Sequence, residues 1–216
     1  MERTLSTYLV TQADRTAGRG TVAVVREAIA GGVDAVQLRE KHASASDRYE
    51  LGRRLRELTA DAGVPLIVND RIDLAAALDA DGVHLGDDDL PVGVARDRLG
   101  ADAIVGRSVS TVAAAREAEA AGADYLGVGA VFATGTKDTR ASASEIGVDT
   151  VAAVADAVSV PTVAIGGIEP GNAGRVVAAG ADGVAVVTAV TEAADPAAAT
   201  RELRAAVEAQ REAVSG

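Results

Sequence analysis

One phrase recurs four times along the chain, and it limits the possible folds more than any other feature. It reads Gly32-Val33-Asp34-Ala35-Val36-Gln37-Leu38, then Ala80-Asp81-Gly82-Val83-His84-Leu85. It returns as Gly122-Ala123-Asp124-Tyr125-Leu126-Gly127-Val128 and as Gly180-Ala181-Asp182-Gly183-Val184-Ala185-Val186. Each copy is a Gly/Ala/Asp turn followed by a short apolar run. The turn residues stop a preceding helix, and the run suits a buried strand. Further runs of strand character lie between the copies, at Thr7–Val10, Pro65–Asn69, Ala103–Ser108 and Pro161–Ile165.

The intervening segments have helix-forming composition with charges largely on one face. They are Val22–Ala30, Asp47–Ala62, Asp73–Leu78, Val92–Leu99, Val112–Ala121, Val148–Ala157, Ala173–Ala179 and Ala197–Ala213. Strands that are apolar almost throughout belong in a parallel sheet covered on both faces. Eight such strands alternating with helices in 216 residues predict an α/β fold, a (β/α)8 TIM barrel, with residues 1–216 as one domain. An open doubly wound sheet would carry a Gly-rich dinucleotide loop after its first strand. Here Val10 is followed by Thr11-Gln12-Ala13-Asp14, and no linker or low-complexity stretch divides the chain.

Composition removes several functions. Cys is absent, which excludes disulfides, thiolate nucleophiles and Cys-ligated zinc. The net charge of −11, without a basic cluster, argues against nucleic acid or an anionic membrane as partner. The N-terminus shows no secretory apolar region. The longest uncharged stretches, such as Ala157–Ile168, fall short of the roughly 18 apolar residues of a membrane span. A cytoplasmic protein is expected, with oligomeric state left open and a homo-oligomer possible. Lys occurs only at 41 and 137, and aromatics make up 2% of residues, so Ala and Val must build most of the core. Acid excess with scarce Lys predicts adaptation to high salt, which screens carboxylate repulsion.

In a barrel of this kind the loops after the strands gather at one rim, where chemistry is done. After the second strand, period-two alternation puts Gln37, Arg39 and Lys41 on one side. A forked guanidinium beside a mobile ammonium suits phosphate. The third strand ends in Asn69-Asp70, and Gly86-Asp87-Asp88-Asp89 follows the fourth. Carboxylates at neighbouring strand ends need a cation between them, and hard oxygen ligands suit Mg²⁺ with phosphate oxygens and water. The fifth strand ends in Gly106-Arg107-Ser108, and Phe132-Ala133-Thr134-Gly135-Thr136-Lys137 follows the sixth. Gly166-Gly167 follows the seventh strand, and Val187-Thr188 the eighth. These are the positions where barrels commonly hold phosphate on backbone N–H groups. His42 and His84 are the only histidines, no Ser-His-Asp arrangement is evident, and His84 reads as a satisfied core residue. Two anion sites without an evident acid–base pair predict an enzyme joining two phosphorylated substrates, with diphosphate departure driven by charge neutralisation.

Six segments together resemble the thiamine phosphate synthase family, from Tyr8 to about Pro196. They are Gln37–Lys41, Asn69–Ala75, Ala80–Gly86, Gly129–Lys137, Ala164–Ile168 and Ala181–Val187. The resemblance implies a transferase that joins hydroxymethylpyrimidine diphosphate to hydroxyethylthiazole phosphate, releasing thiamine phosphate and diphosphate. It implies that Arg39, Lys41, Asn69 and Lys137 contact the diphosphate, that Gln37 lies beside the pyrimidine, and that Asp70 and Asp89 hold Mg²⁺. Ser108 matches a position near the diphosphate and the reacting centre. Thr134 and Thr136 match thiazole-phosphate contacts, and Gly167, Val187 and Thr188 match the backbone phosphate site. The implied mechanism is dissociative, with diphosphate leaving before the thiazole nitrogen captures a pyrimidine methylene cation.

Two positions depart from the family's habit. Asp87 stands where Gln is common, adding a carboxylate near the metal, and Thr188 stands where Ser is common, keeping the hydroxyl. A thiazole tautomerase relative would share the barrel and phosphate nest, but would not need the set Arg39, Lys41, Asp70, Asp89 and Lys137. A Schiff-base aldolase would project its lysine from a strand, whereas Lys137 follows Gly135 in a loop. A phospholigand-binding protein without turnover is the remaining alternative.

Overall fold

The computed structural model describes residues 5–134 and 145–215. Eight parallel strands close into a barrel in sequence order. They are β1 Thr7–Val10, β2 Ala35–Leu38, β3 Leu66–Asn69, β4 Gly82–Leu85, β5 Ile104–Val109, β6 Tyr125–Gly129, β7 Thr162–Ile165 and β8 Gly183–Val186. β8 pairs with β1, with Tyr8 opposite Ala185, and so completes the ring. The outer layer is α1 Thr21–Ala30, α2 Ala45–Ala62, α3 Ile72–Ala77, α4 Val92–Leu99, α5 Val112–Ala120, α6 Gly147–Ala155, α7 Pro170–Ala178, α8 Thr188–Thr191 and α9 Pro196–Ser215. This is the (β/α)8 barrel expected from the alternation of elements. Among the described residues, no helix is long and apolar enough to cross a membrane.

The recurring Asp explains why the phrase repeats. Asp34, Asp81, Asp124 and Asp182 each stand just before an even-numbered strand. Each carboxylate accepts the backbone N–H at the start of the preceding strand. Thr7 donates to Asp34 at 2.9 Å, Leu66 to Asp81 at 2.8 Å, Val105 to Asp124 at 2.7 Å and Thr162 to Asp182 at 2.8 Å. The Asp backbone N–H returns the bond to the carbonyl of the same residue, at 2.9, 3.0, 2.7 and 2.8 Å respectively. A strand entering a barrel leaves its first amide unpaired, and a short acceptor at this spot satisfies it. The clamp recurs at four places around the amino rim and fixes strand register there.

Alternation along the strands sorts side chains into two cores. Outward residues such as Val36, Leu38, Val68, Leu85 and Leu126 pack under the helices in one large apolar cluster. Inward residues form a smaller cluster of Tyr8, Val10, Ala35, Ile67, Tyr125, Val163 and Ala185, which fills the barrel.

Two local features differ from the sequence reading. β5 is Ile104–Val109, one residue later at each end than expected, with Gly106, Arg107 and Ser108 in the strand as expected. After β8 the chain turns at once into the one-turn helix α8, before α9 begins. Four residues rich in Thr and Val carry too little periodicity to show a helix, and β-branched side chains disguise it as strand.

Candidate active site

Parallel pairing places the carboxyl ends of all eight strands on one rim. Gln37 ends up buried inside β2, with Arg39 and Lys41 just beyond that strand. Asn69 closes β3, and Asp70 follows it. Asp89 lies in the loop after β4, Ser108 in β5, and Thr134 in the loop after β6. Gly167 follows β7, and Val187 and Thr188 lead from β8 into α8. The barrel therefore gathers these residues at the same end. Thr136 and Lys137 fall outside the described residues.

Loop contacts brace the basic segment. The Arg39 backbone N–H donates to Thr11 Oγ1 at 3.1 Å. Glu40 is buried, and its carboxylate accepts the Ala13 N–H at 2.7 Å. Glu40 thus ties the loop after β1 to the loop after β2. No local pattern marks this residue, because its partner Ala13 lies in a loop 27 positions away.

The acidic pair is built by local geometry. Asp70 adopts φ +65°, a left-handed conformation rare outside Gly but tolerated by Asp. Its backbone N–H donates to the His84 carbonyl at 2.8 Å, which anchors the turn to β4. Lys41 Nζ lies 3.1 Å from Asp70 Oδ2. Asp89 Oδ2 accepts the Gly86 N–H at 2.6 Å. Burial raises the Asp89 carboxyl above the ordinary carboxylate range. The adjacent Asp70 pushes the same way, and the Gly86 N–H and Lys41 oppose it. Two neighbouring carboxylates, one resisting ionisation, form a donor set that a divalent cation would relieve. No group of three or more His, Cys, Asp or Glu side chains suited to a metal occurs among the described residues. Two carboxylates fit Mg²⁺, which usually keeps waters and takes phosphate oxygens. Asp87 is paired with Arg107 at 3.1 Å, with its side chain 82% exposed.

A hydrogen-bonded chain crosses the barrel interior, and the sequence reading did not find it. Gln37 Nε2 donates to Tyr8 Oη at 3.0 Å, and Tyr8 Oη lies 2.9 Å from Tyr125 Oη. Tyr125 Oη lies 2.9 Å from His84 Nδ1, and His84 Nε2 lies 2.9 Å from Ser108 Oγ. His84 is satisfied, as expected, but its partner Ser108 belongs to the rim. Two glycines make room for the rings. A Cβ at Gly106 would collide with the Tyr125 ring, and one at Gly127 would come within 3.0 Å of His84 Cε1. The available signal was period-two register, which turns Tyr8, Gln37, His84, Ser108 and Tyr125 all inward.

Across the mouth, Gly166 and Gly167 take φ +108° and +62° after β7. A side chain at Gly167 would meet the Ala133 carbonyl at 2.6 Å, so this turn packs directly on the loop after β6. Asn172 Nδ2 donates to the Gly167 carbonyl at 2.9 Å and holds the turn on α7. The Arg175 guanidinium lies 5.3 Å from the centre of the Phe132 ring and fastens α7 to the loop after β6.

Comparisons with known proteins agree with this arrangement. The family described as "Thiamine monophosphate synthase" matches residues 7–190. A thiamine-phosphate synthase of Natronomonas pharaonis is 65% identical over 208 residues, covering 96% of this chain and 97% of the relative. One from Moorella thermoacetica is 53% identical over 200 residues, covering 93% and 94% respectively. A solved thiamine phosphate pyrophosphorylase from Pyrococcus furiosus superposes with a TM-score of 0.87 at 42% identity, covering 96% of this chain and 98% of that one.

Proposed function

The chain belongs to the thiamine-phosphate synthase family, and from that premise we propose how its carboxyl rim carries out the transferase reaction. Hydroxymethylpyrimidine diphosphate and hydroxyethylthiazole phosphate bind side by side and leave as thiamine phosphate and diphosphate. Arg39, Lys41, Asn69 and Lys137 bind the diphosphate. Gln37 lies beside the pyrimidine, and Ser108 lies near the reacting carbon. Thr134, Thr136, Gly167, Val187 and Thr188 hold the thiazole phosphate, largely on backbone N–H groups. Asp70 and Asp89 would hold Mg²⁺, whose chemistry when bound is to neutralise charge on the diphosphate oxygens.

The observation that carries this reading is the contact of Lys41 with Asp70 beside Asp89, on the rim that also bears the glycine turn. A cation-rich, carboxylate-bearing pocket neutralises a departing diphosphate, and the facing turn fixes the second partner's phosphate. Catalysis then rests on leaving-group stabilisation and alignment, with no nucleophilic side chain required. A tautomerase on the same barrel would have no use for the acidic pair.

Diphosphate release is the test, measured with both substrates and Mg²⁺ and then with each component withheld in turn. Release should need the pyrimidine diphosphate and Mg²⁺, and thiamine phosphate should form only when the thiazole phosphate is present as well. No thiamine phosphate with all three present, or an undiminished rate in chelator, would count against the proposed roles.

A further inference from the structure

The interior chain has a direction. Gln37 gives its amide N–H to Tyr8 Oη, so the Tyr8 proton is left for Tyr125, the other partner of that oxygen. Tyr125 has then accepted a bond, and its own proton points to His84 Nδ1. A neutral imidazole carries one donor and one acceptor nitrogen. An accepting Nδ1 puts the ring proton on Nε2, aimed at Ser108 Oγ. Ser108 then accepts from inside the barrel and keeps its own O–H for the rim. Every link is buried or half-buried, and burial pushes both phenols well above their usual range, so both remain proton donors. The glycines at 106 and 127, which clear space for the two central rings, show that the interior is shaped around the chain.

We propose that Tyr8, Tyr125 and His84 are positioning residues that carry the orientation of the Gln37 amide across the barrel to Ser108, fixing Ser108 as a hydrogen-bond donor toward the substrate. Its catalytic part rests on the synthase reading, which puts the pyrimidine at Gln37 and the reacting centre at Ser108. The Gln37 side-chain oxygen, Oε1, accepts no hydrogen bond from a described residue. A hydrogen-bond donor on the pyrimidine would pair with it and hold the amide as it stands. A ligand presenting an acceptor there would demand the flipped amide, reverse every proton in the chain, and turn Ser108 inward. Recognition of the pyrimidine and preparation of the reacting centre are thereby coupled by the orientation of one amide and the protons along the chain, with its heavy-atom contacts kept.

Two measurements test the chain. In the His42→Gln variant His84 is the only imidazole, and nitrogen-15 NMR of labelled protein reports its tautomer. A neutral ring protonated on Nε2 is expected, with a mixture of tautomers once Tyr125→Phe is added. A ring protonated on Nδ1, or a tautomer indifferent to Tyr125→Phe, overturns the proposal. In the second measurement Tyr125→Phe should lower kcat about tenfold, the effect of misdirecting one hydrogen bond, with little change in either KM. Adding it to Ser108→Ala should cost nothing further, because the chain acts only through that hydroxyl. Additive losses overturn the proposal, since a purely structural role would slow both backgrounds alike. Tyr8→Phe breaks the chain one link earlier and serves if Tyr125→Phe does not fold. Should the wild type release no diphosphate, the synthase roles fail, while the tautomer measurement still decides the chain.

Discussion

Lys41 Nζ sits 3.1 Å from Asp70 Oδ2, bridging two adjacent strand ends of the barrel. The Lys41 side chain is 44% exposed and that of Asp70 25%, so the pair lies at the mouth rather than in the core. A surface ion pair of this kind adds little to stability. Its value is electrostatic: it balances one of two carboxylates that would otherwise repel each other.

Lys41→Ala should therefore lower turnover about a hundredfold, the usual effect of deleting one charge-stabilising donor. Thermal stability should barely change. Lys41→Arg should recover only part of the rate, because a planar fork does not replace a compact point charge. Steady-state diphosphate release on the three proteins checks this, and wild-type turnover in the alanine variant would exclude the role.

The amino rim should behave in the opposite way. Asp81→Ala leaves the Leu66 N–H unpaired and frees Arg56, which contacts the same carboxylate at 3.1 Å. A loss of about 1–3 kcal/mol is expected from the orphaned donor. Urea unfolding gives the loss, and kcat should stay unchanged because the active rim is at the other end of β3 and β4.

The buried tyrosines predict a particular alkaline instability. Burial raises the phenols of Tyr8 and Tyr125 far above the usual range. Unfolded phenols ionise near pH 10, as expected for a free side chain. The stabilisation held in the neutral phenols is fully present below about pH 10 and is lost as pH rises, because unfolding then releases protons that the folded state retains. The slope approaches about 1.4 kcal/mol per pH unit for each phenol. Unfolding measured from pH 8 to pH 11 should fall less steeply in Tyr8→Phe than in wild type. Parallel curves would show that Tyr8 ionises in the folded protein.

The net charge of −11 predicts a salt response. Between about 0.1 M and about 1 M KCl the screening length falls from about 10 Å to about 3 Å. Repulsion among surface carboxylates weakens accordingly, and Tm should rise. A flat or falling Tm would mean that salt weakens attractive pairs, such as the arginine contacts at Asp34, Asp81 and Asp124, by as much as it relieves the repulsion.

The sequence alone determined the barrel. Four Asp-containing turns and eight apolar runs carry periods of two and 3.6, and those are local properties of consecutive residues. It also determined which residues reach the rim, because parallel strands send every carboxyl end the same way. Arg39, Lys41, Asn69, Asp70, Asp89 and Ser108 were legible for that reason. The contacts between them were not. The burial of Glu40 against the Ala13 N–H depends on two loops meeting, and the core position of His84 was legible while its partners Tyr125 and Ser108, on β6 and β5, were not. Pairings such as Tyr8 with Tyr125, 117 residues apart in the chain, exist only once the sheet closes. Strand alternation says which way a side chain points, but only ring closure says what it meets inside.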